Sequence, residues 1–173
     1  MCNIDSILKD LNKILAIKRD LNKEKEEVNL DEIIYQVLKS LEREFIEVRP
    51  RIDLDMKVTK LLTIKSYITS IFTNLISNSI KYRDVDRDCN ITIRTYMMNN
   101  NVCVEFEDNG MGIDLDKFGD QIFGLYKRYH RHVEGSGMGL HLVKSQIEAM
   151  GGTISVESAI NKGTKFTIEL YND

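Results

Sequence analysis

The sequence predicts an α+β fold. Apolar residues at helical spacing mark amphipathic helices over 4–21, 29–45, 64–81 and 140–150. Short segments of alternating polarity mark strands over 52–58, 91–96, 102–107, 153–157 and 164–170, several of them joined as antiparallel hairpins. Between them, residues 108–139 carry most of the glycines and little periodicity, which fits a long functional loop. The chain has 173 residues, 42% hydrophobic and 29% charged, enough for about one domain and a modest extra segment. That composition is too apolar for intrinsic disorder. A net charge of −3 with both signs interspersed gives no electrostatic case for nucleic acid. No apolar run approaches the ~20 residues of a membrane helix. The odd, scattered cysteines Cys2, Cys89 and Cys103 suit a reducing interior rather than a disulfide framework. A soluble, cytoplasmic domain is expected.

Each element has a local reason. Ile4, Ile7, Leu11, Ile14 and Leu21 stand at heptad spacing, thickened by Leu8 and Leu15, and that stripe wants a partner helix. Lys18 at an a position weakens the seam, so a monomer or a weak dimer through this helix is expected. The charged stretch 22–28 reads as a linker. Asn29 with Glu32 forms a capping-box signature ahead of a helix striped by Ile33, Ile34, Val37, Leu38, Leu41 and Phe45, with Pro50 beyond its end. Ile52, Leu54, Met56 and Val58 alternate inward on a strand. The helix over 64–81 buries Ile64, Ile68, Ile71, Phe72, Leu75 and Tyr82. Two strands joined through Asn99-Asn100-Asn101 follow. The helix over 140–150 stops at Gly151-Gly152, and a hairpin turning at Asn161-Lys162-Gly163 ends the chain.

Three patterns carry chemistry. Asn74, Asn78 and Lys81 recur at i, i+4 and i+7, forming one column on the flank of the apolar stripe, where polar groups face a cleft. Two amide oxygens and an ammonium in line suit a hydrated Mg²⁺ and a polyphosphate, although asparagines facing solvent would look the same. Asp108-Asn109-Gly110-Met111-Gly112-Ile113 follows a strand and offers an acceptor beside an approachable backbone, or simply a turn. Gly135-Ser136-Gly137-Met138-Gly139-Leu140 leads into a helix, whose N-terminus favours an anion; a flexible hinge fits equally well. It is neither a dinucleotide fingerprint nor a P-loop.

Order and spacing join these patterns. The segment from Asn74 to Tyr82 resembles the N box of sensor histidine kinases, and Asp108 to Ile113 their G1 box. Ile122-Phe123-Gly124-Leu125-Tyr126-Lys127-Arg128 resembles the F box, Gly135 to Leu140 the G2 box, and Asn161-Lys162-Gly163-Thr164-Lys165-Phe166 the closing Gly-Thr element. The resemblance covers roughly residues 29–171. It implies the two-layer Bergerat sandwich of the GHKL ATPases, a mixed, mostly antiparallel sheet covered by three helices, here with an N-terminal helical stub. Residues 1–27 would be the end of a dimerisation helix and a linker, and 28–173 the ATP-binding catalytic domain.

The resemblance further implies ATP and Mg²⁺ as ligands. Asn78 would coordinate the metal, Asn74 and Lys81 would hold phosphates, and Tyr82 would lie near the nucleoside. Asp108 would accept the adenine amine with Thr164 behind the base; Gly112 would give room, and Gly110 and Ile113 would belong to the same loop. Phe123 and Arg128 would belong to the lid, with Lys127 and Arg131 as further cations, and Gly135, Ser136, Gly137, Met138, Gly139 and Leu140 would line the phosphates. Asn78, Lys81 and Arg128 would be the catalytic set. Asn74 stands where related ATPases of the gyrase, chaperone and mismatch-repair type carry a glutamate base, and an amide takes no proton at neutral pH. Transfer to a protein histidine is therefore expected over hydrolysis. The histidines His130, His132 and His141 fall in the lid or the helix after it, so the acceptor is expected outside this piece, on its own dimerisation domain, with a response regulator as downstream partner and any membrane link through the parent's other regions. The competing readings are a GHKL-type ATPase, an anti-sigma-like serine kinase, and a degenerate docking module.

Overall fold

A computed structural model describes residues 12, 24–125 and 137–171. The expected stub helix therefore lies outside the described residues, apart from Asn12, as do Arg128, Gly135 and Ser136, with Lys127, His130, Arg131 and His132. The strands are β1 (Glu26–Asn29), β2 (Arg51–Met56), β3 (Lys60–Thr63), β4 (Asn90–Met98), β5 (Asn101–Asp108), β6 (Thr153–Ala159) and β7 (Gly163–Leu170). The helices are α1 (Leu30–Ser40), α2 (Glu42–Val48), α3 (Lys65–Lys81), α4 (Leu115–Phe118) and α5 (Gly139–Ala149), with a 3₁₀ turn at Gly119–Gln121.

Five strands form one sheet in the order β2-β4-β5-β7-β6, and β1 pairs with β3 in a separate ribbon. Among the described strands only the β2–β4 pair is parallel. Alternation sorts the sheet faces: Val104 and Phe106 point to the helices, while Glu105 and Glu107 meet Arg94 on the open face. Ile33 and Ile34 of α1, Phe72 and Leu75 of α3, and Val143 and Ile147 of α5 close the core over Ile91, Ile93 and Ile168. The Phe72 and Phe106 rings meet edge-on at 4.9 Å and 79°, a contact contributing about 1 kcal/mol beyond burial. No helix among the described residues is long and apolar enough to cross a membrane.

Local signals are confirmed where they were strongest. Asn29 Oδ1 accepts from the Asp31 and Glu32 amides at 2.9 and 3.3 Å, capping α1. Asn99 and Asn100 both take positive φ (50° and 66°), the left-handed pair that a two-residue hairpin requires, and Asn101 already belongs to β5.

The structure also corrects the reading. The expected linker over 22–28 runs into β1, because Glu26–Asn29 finds an antiparallel partner in β3 that no local signal announces. The single helix expected over 29–45 is two. Ser40 Oγ donates to the Val37 carbonyl at 2.7 Å, sharing it with the Leu41 amide, and the chain breaks there. Leu54, expected to face inward, is 48% exposed: β2 is an edge strand with a neighbour on one side only. The loop over 108–139 contains α4, capped by Asp114 Oδ1 accepting from the Lys117 amide.

Candidate functional site

Asp108 ends β5, and three other segments converge on it. Gly110 N–H donates to its Oδ1 at 2.9 Å, and Thr164 N–H of β7 to the same oxygen at 3.3 Å. Ser79 Oγ of α3 donates to Oδ2 at 3.1 Å. Burial pushes the carboxyl above its ordinary range; the bonds from Gly110, Ser79 and Thr164 pull it back, and Glu107 pushes with burial. The result is a half-buried acceptor whose plane is set by three donors. Behind it, Thr164 Oγ1 and Ser158 Oγ lie 2.9 Å apart, and Ser158 Oγ accepts from the Ile113 amide at 2.8 Å. That chain of hydroxyls ties the loop after β5 to the β6–β7 hairpin.

The loop is clamped from its other side by the segment after α3. Met111 N–H donates to Tyr82 O, Arg87 Nη2 to Gly110 O, and Asn109 Nδ2 to Asp88 O, at 2.9, 3.1 and 2.8 Å. Gly112 has φ of 67°, and the space a Cβ would take is filled by the Ala159 carbonyl; strand-end packing demands glycine there.

In the middle of α3, Asn74 Nδ2 donates to Ser70 O at 2.9 Å, which orients the amide. Its Oδ1 then faces Gly139, where an added Cβ would lie 3.0 Å away. The N terminus of α5, whose N-cap Met138 makes no side-chain capping bond, thus abuts the asparagine column. Asn78 and Lys81 complete that column, partly buried on the same flank, and Lys81 Nζ sits 5.3 Å from the Tyr82 ring centroid. Phe123 packs toward Phe166 at 6.4 Å, its ring 5.5 Å from Lys144 Nζ, and His141 Nδ1 donates to its carbonyl at 2.9 Å.

Asp108, Gly110 and Thr164 are therefore bonded together at one end, with Ile113 held beside them through Ser158, and Asn74 meets Gly139 at the other, while Asn78 and Lys81 continue the same flank of α3. Gly137 takes φ of 71° just before α5. Met138 is 0% exposed with its side chain in the core, and Leu140 packs against that core. Ser79, Ser158, Asn109 and Arg87 escaped the sequence reading as functional residues. Ser79 left one trace, a hydroxyl one turn from Leu75 on the apolar side of α3.

Residues 64–173 match the family described as histidine kinase-, DNA gyrase B-, and HSP90-like ATPases. The chain belongs to that family. Family membership implies ATP binding. Sensor protein RprX of Bacteroides fragilis is 30% identical over 149 residues, covering 83% of this chain and 29% of RprX. The Acinetobacter baumannii histidine kinase AdeS superposes with a TM-score of 0.78 at 23% identity, over 95% of this chain and 76% of that one. Full-length ShkA in complex with AMPPNP gives 0.77 at 21%, over 96% and 36%. These structures show that the fold is that of histidine kinase catalytic domains. The chain spans 29–46% of the length of the first curated relatives it matches, two named as sensor proteins and one as a signal transduction histidine-protein kinase.

Proposed function

We propose that this chain is the catalytic part of a sensor histidine kinase, which binds Mg·ATP and transfers the γ-phosphoryl group to a histidine on a dimerisation domain. The observation that supports it most is the Asp108 cluster: a half-buried carboxylate fixed by Ser79, Gly110 and Thr164 is built to accept an exocyclic amine. ShkA, which shares the fold, was captured with an ATP analogue.

With the base on Asp108, the triphosphate runs along α3. Ser79 and Asn74 are five residues apart, about 7.5 Å along the axis at 1.5 Å per residue. The amides at the start of α5 and the Lys81 ammonium then receive phosphate oxygens. Asn78 presents an amide oxygen on the same flank, a donor type suited to Mg²⁺, and would hold the ion with phosphates and waters. When bound, the metal neutralises charge on the β- and γ-phosphates. Asn74, spent on Ser70 O through its nitrogen, offers no base for water, so this chain's residues position and neutralise rather than abstract a proton. Arg128 in the lid would add a cation. The acceptor histidine, the dimerisation domain and a response regulator are the partners, and the cytoplasm the setting.

The test is transfer in trans. With Mg²⁺ and γ-labelled ATP, acid-labile label is expected on the histidine of a separate dimerisation-helix protein, with Asn78→Ala losing the metal dependence of binding. Steady ATP hydrolysis without transfer would overturn the reading.

A further inference from the structure

We infer that Ser79 is the positioning residue that makes the site select a 6-amino purine over a 6-oxo purine, a reading that rests on Asp108 being the base acceptor. Asp108 Oδ1 already accepts two backbone amides, from Gly110 and Thr164. Oδ2 is the oxygen left to read a ligand, and among the described residues Ser79 is its donor. The serine is 6% exposed, on the side of α3 that faces the core. Its Oγ lies 3.1 Å from both Asp108 Oδ2 and Leu75 O. One hydroxyl proton therefore serves two acceptors, and helix and carboxylate hold the oxygen between them.

This arrangement has two consequences. Ser79 and the Gly110 amide pin opposite ends of the carboxylate, so the remaining lone pair of Oδ2 points in one direction. The hydroxyl also favours the ionised carboxylate, which can accept but not donate. An amine at position 6 then finds an acceptor, whereas a carbonyl at that position meets another lone pair. Losing the Ser79 donor leaves two bonds against the burial that favours the protonated acid, and a protonated carboxyl donates to a 6-oxo base. Among the described residues, the other titratable groups around the carboxylate are Glu107 on β5 and Cys89 after α3, with Arg83 near Cys89 and Arg87 on the Gly110 carbonyl. None of them donates to Oδ2.

The experiment is calorimetric titration of the full chain with Mg·ATP and with Mg·ITP, which differs at position 6, between pH 6 and 8. Ser79→Ala is expected to weaken ATP about tenfold, the scale of a hydrogen bond to a charged group. ITP should stay within about twofold, because it never used the ionised Oδ2. The ATP:ITP ratio of the variant should also fall further toward pH 6, a readout that mere loosening of the fold would not move. Ser79→Cys keeps the volume with a weak donor and should follow the alanine variant, so either variant decides if the other fails to fold. An ATP:ITP ratio equal to that of the parent chain overturns the inference. Asp108→Asn separates the two claims: if it abolishes ATP preference while Ser79→Ala does not, only the role of Ser79 falls. If Asp108→Asn leaves ATP preference intact, the base assignment falls with it.

Discussion

The two ends of the cleft are built on different principles. At the base end, β5, the loop after it, the segment after α3, and the β6–β7 hairpin are cross-linked by hydrogen bonds around one carboxylate. At the asparagine end, one helix flank meets the first turn of another, and a single amide oxygen faces a glycine Cα. The first arrangement preorganises an acceptor by tertiary structure, so recognition there depends on many distant residues. The second relies on helix geometry, which needs few partners because orphan amides and a column at i, i+4 and i+7 come with the helices.

If that contrast is right, the largest effect comes from breaking the base end's frame. Gly163 has φ of 98°, and a Cβ there would collide with the Asp108 carbonyl. Gly163→Ala should therefore cost about 3 kcal/mol of stability, measured by urea unfolding, and take nucleotide binding with it.

Asp108→Asn should dissociate binding from folding. An asparagine can keep its oxygen toward Gly110 and Thr164 and turn its nitrogen to Ser79 Oγ, which still donates to Leu75 O. ATP affinity should fall at least about 100-fold, since a donor would then face the base amine. Stability should move the other way. Burial raises the folded Asp108 value, so its contribution is full below the unfolded value of about 3.9 and is lost as pH rises through the folded value. The neutral variant should thus gain on the parent chain from acid toward neutral pH, seen as a rising difference in urea midpoints.

The smallest effect is expected at the asparagine end. Gly139→Ala brings a Cβ within 3.0 Å of Asn74 Oδ1, which has to give by a few tenths of an ångström. Alanine suits a helix better than glycine by about 1 kcal/mol, so stability should hold or rise slightly. ATP affinity should fall about threefold, the scale of a perturbed contact rather than a lost one. A loss as large as that of Asp108→Asn would show the two ends to be equally preorganised.

The asparagine column, the cap at Asn29 and the Asn99-Asn100 turn were legible because each depends on residues a few positions apart. Strand β1, the break at Leu41 and the exposure of Leu54 were not, since pairing, a shared carbonyl and an edge position are decided by what lies across the fold. The glycine-rich segment at Met138 looked uniform in sequence, but the structure sends that side chain into the core.

By itself the sequence determined the α+β class and the order of the boxes, because periodicity, caps and short motifs are local properties of the chain. Tertiary structure alone decided which oxygen of Asp108 remains open to a ligand. Ser79, Thr164 and Ser158 lie 29, 56 and 50 residues from Asp108 in the chain, and hydrogen bonds over such separations exist only once sheet and helices have packed.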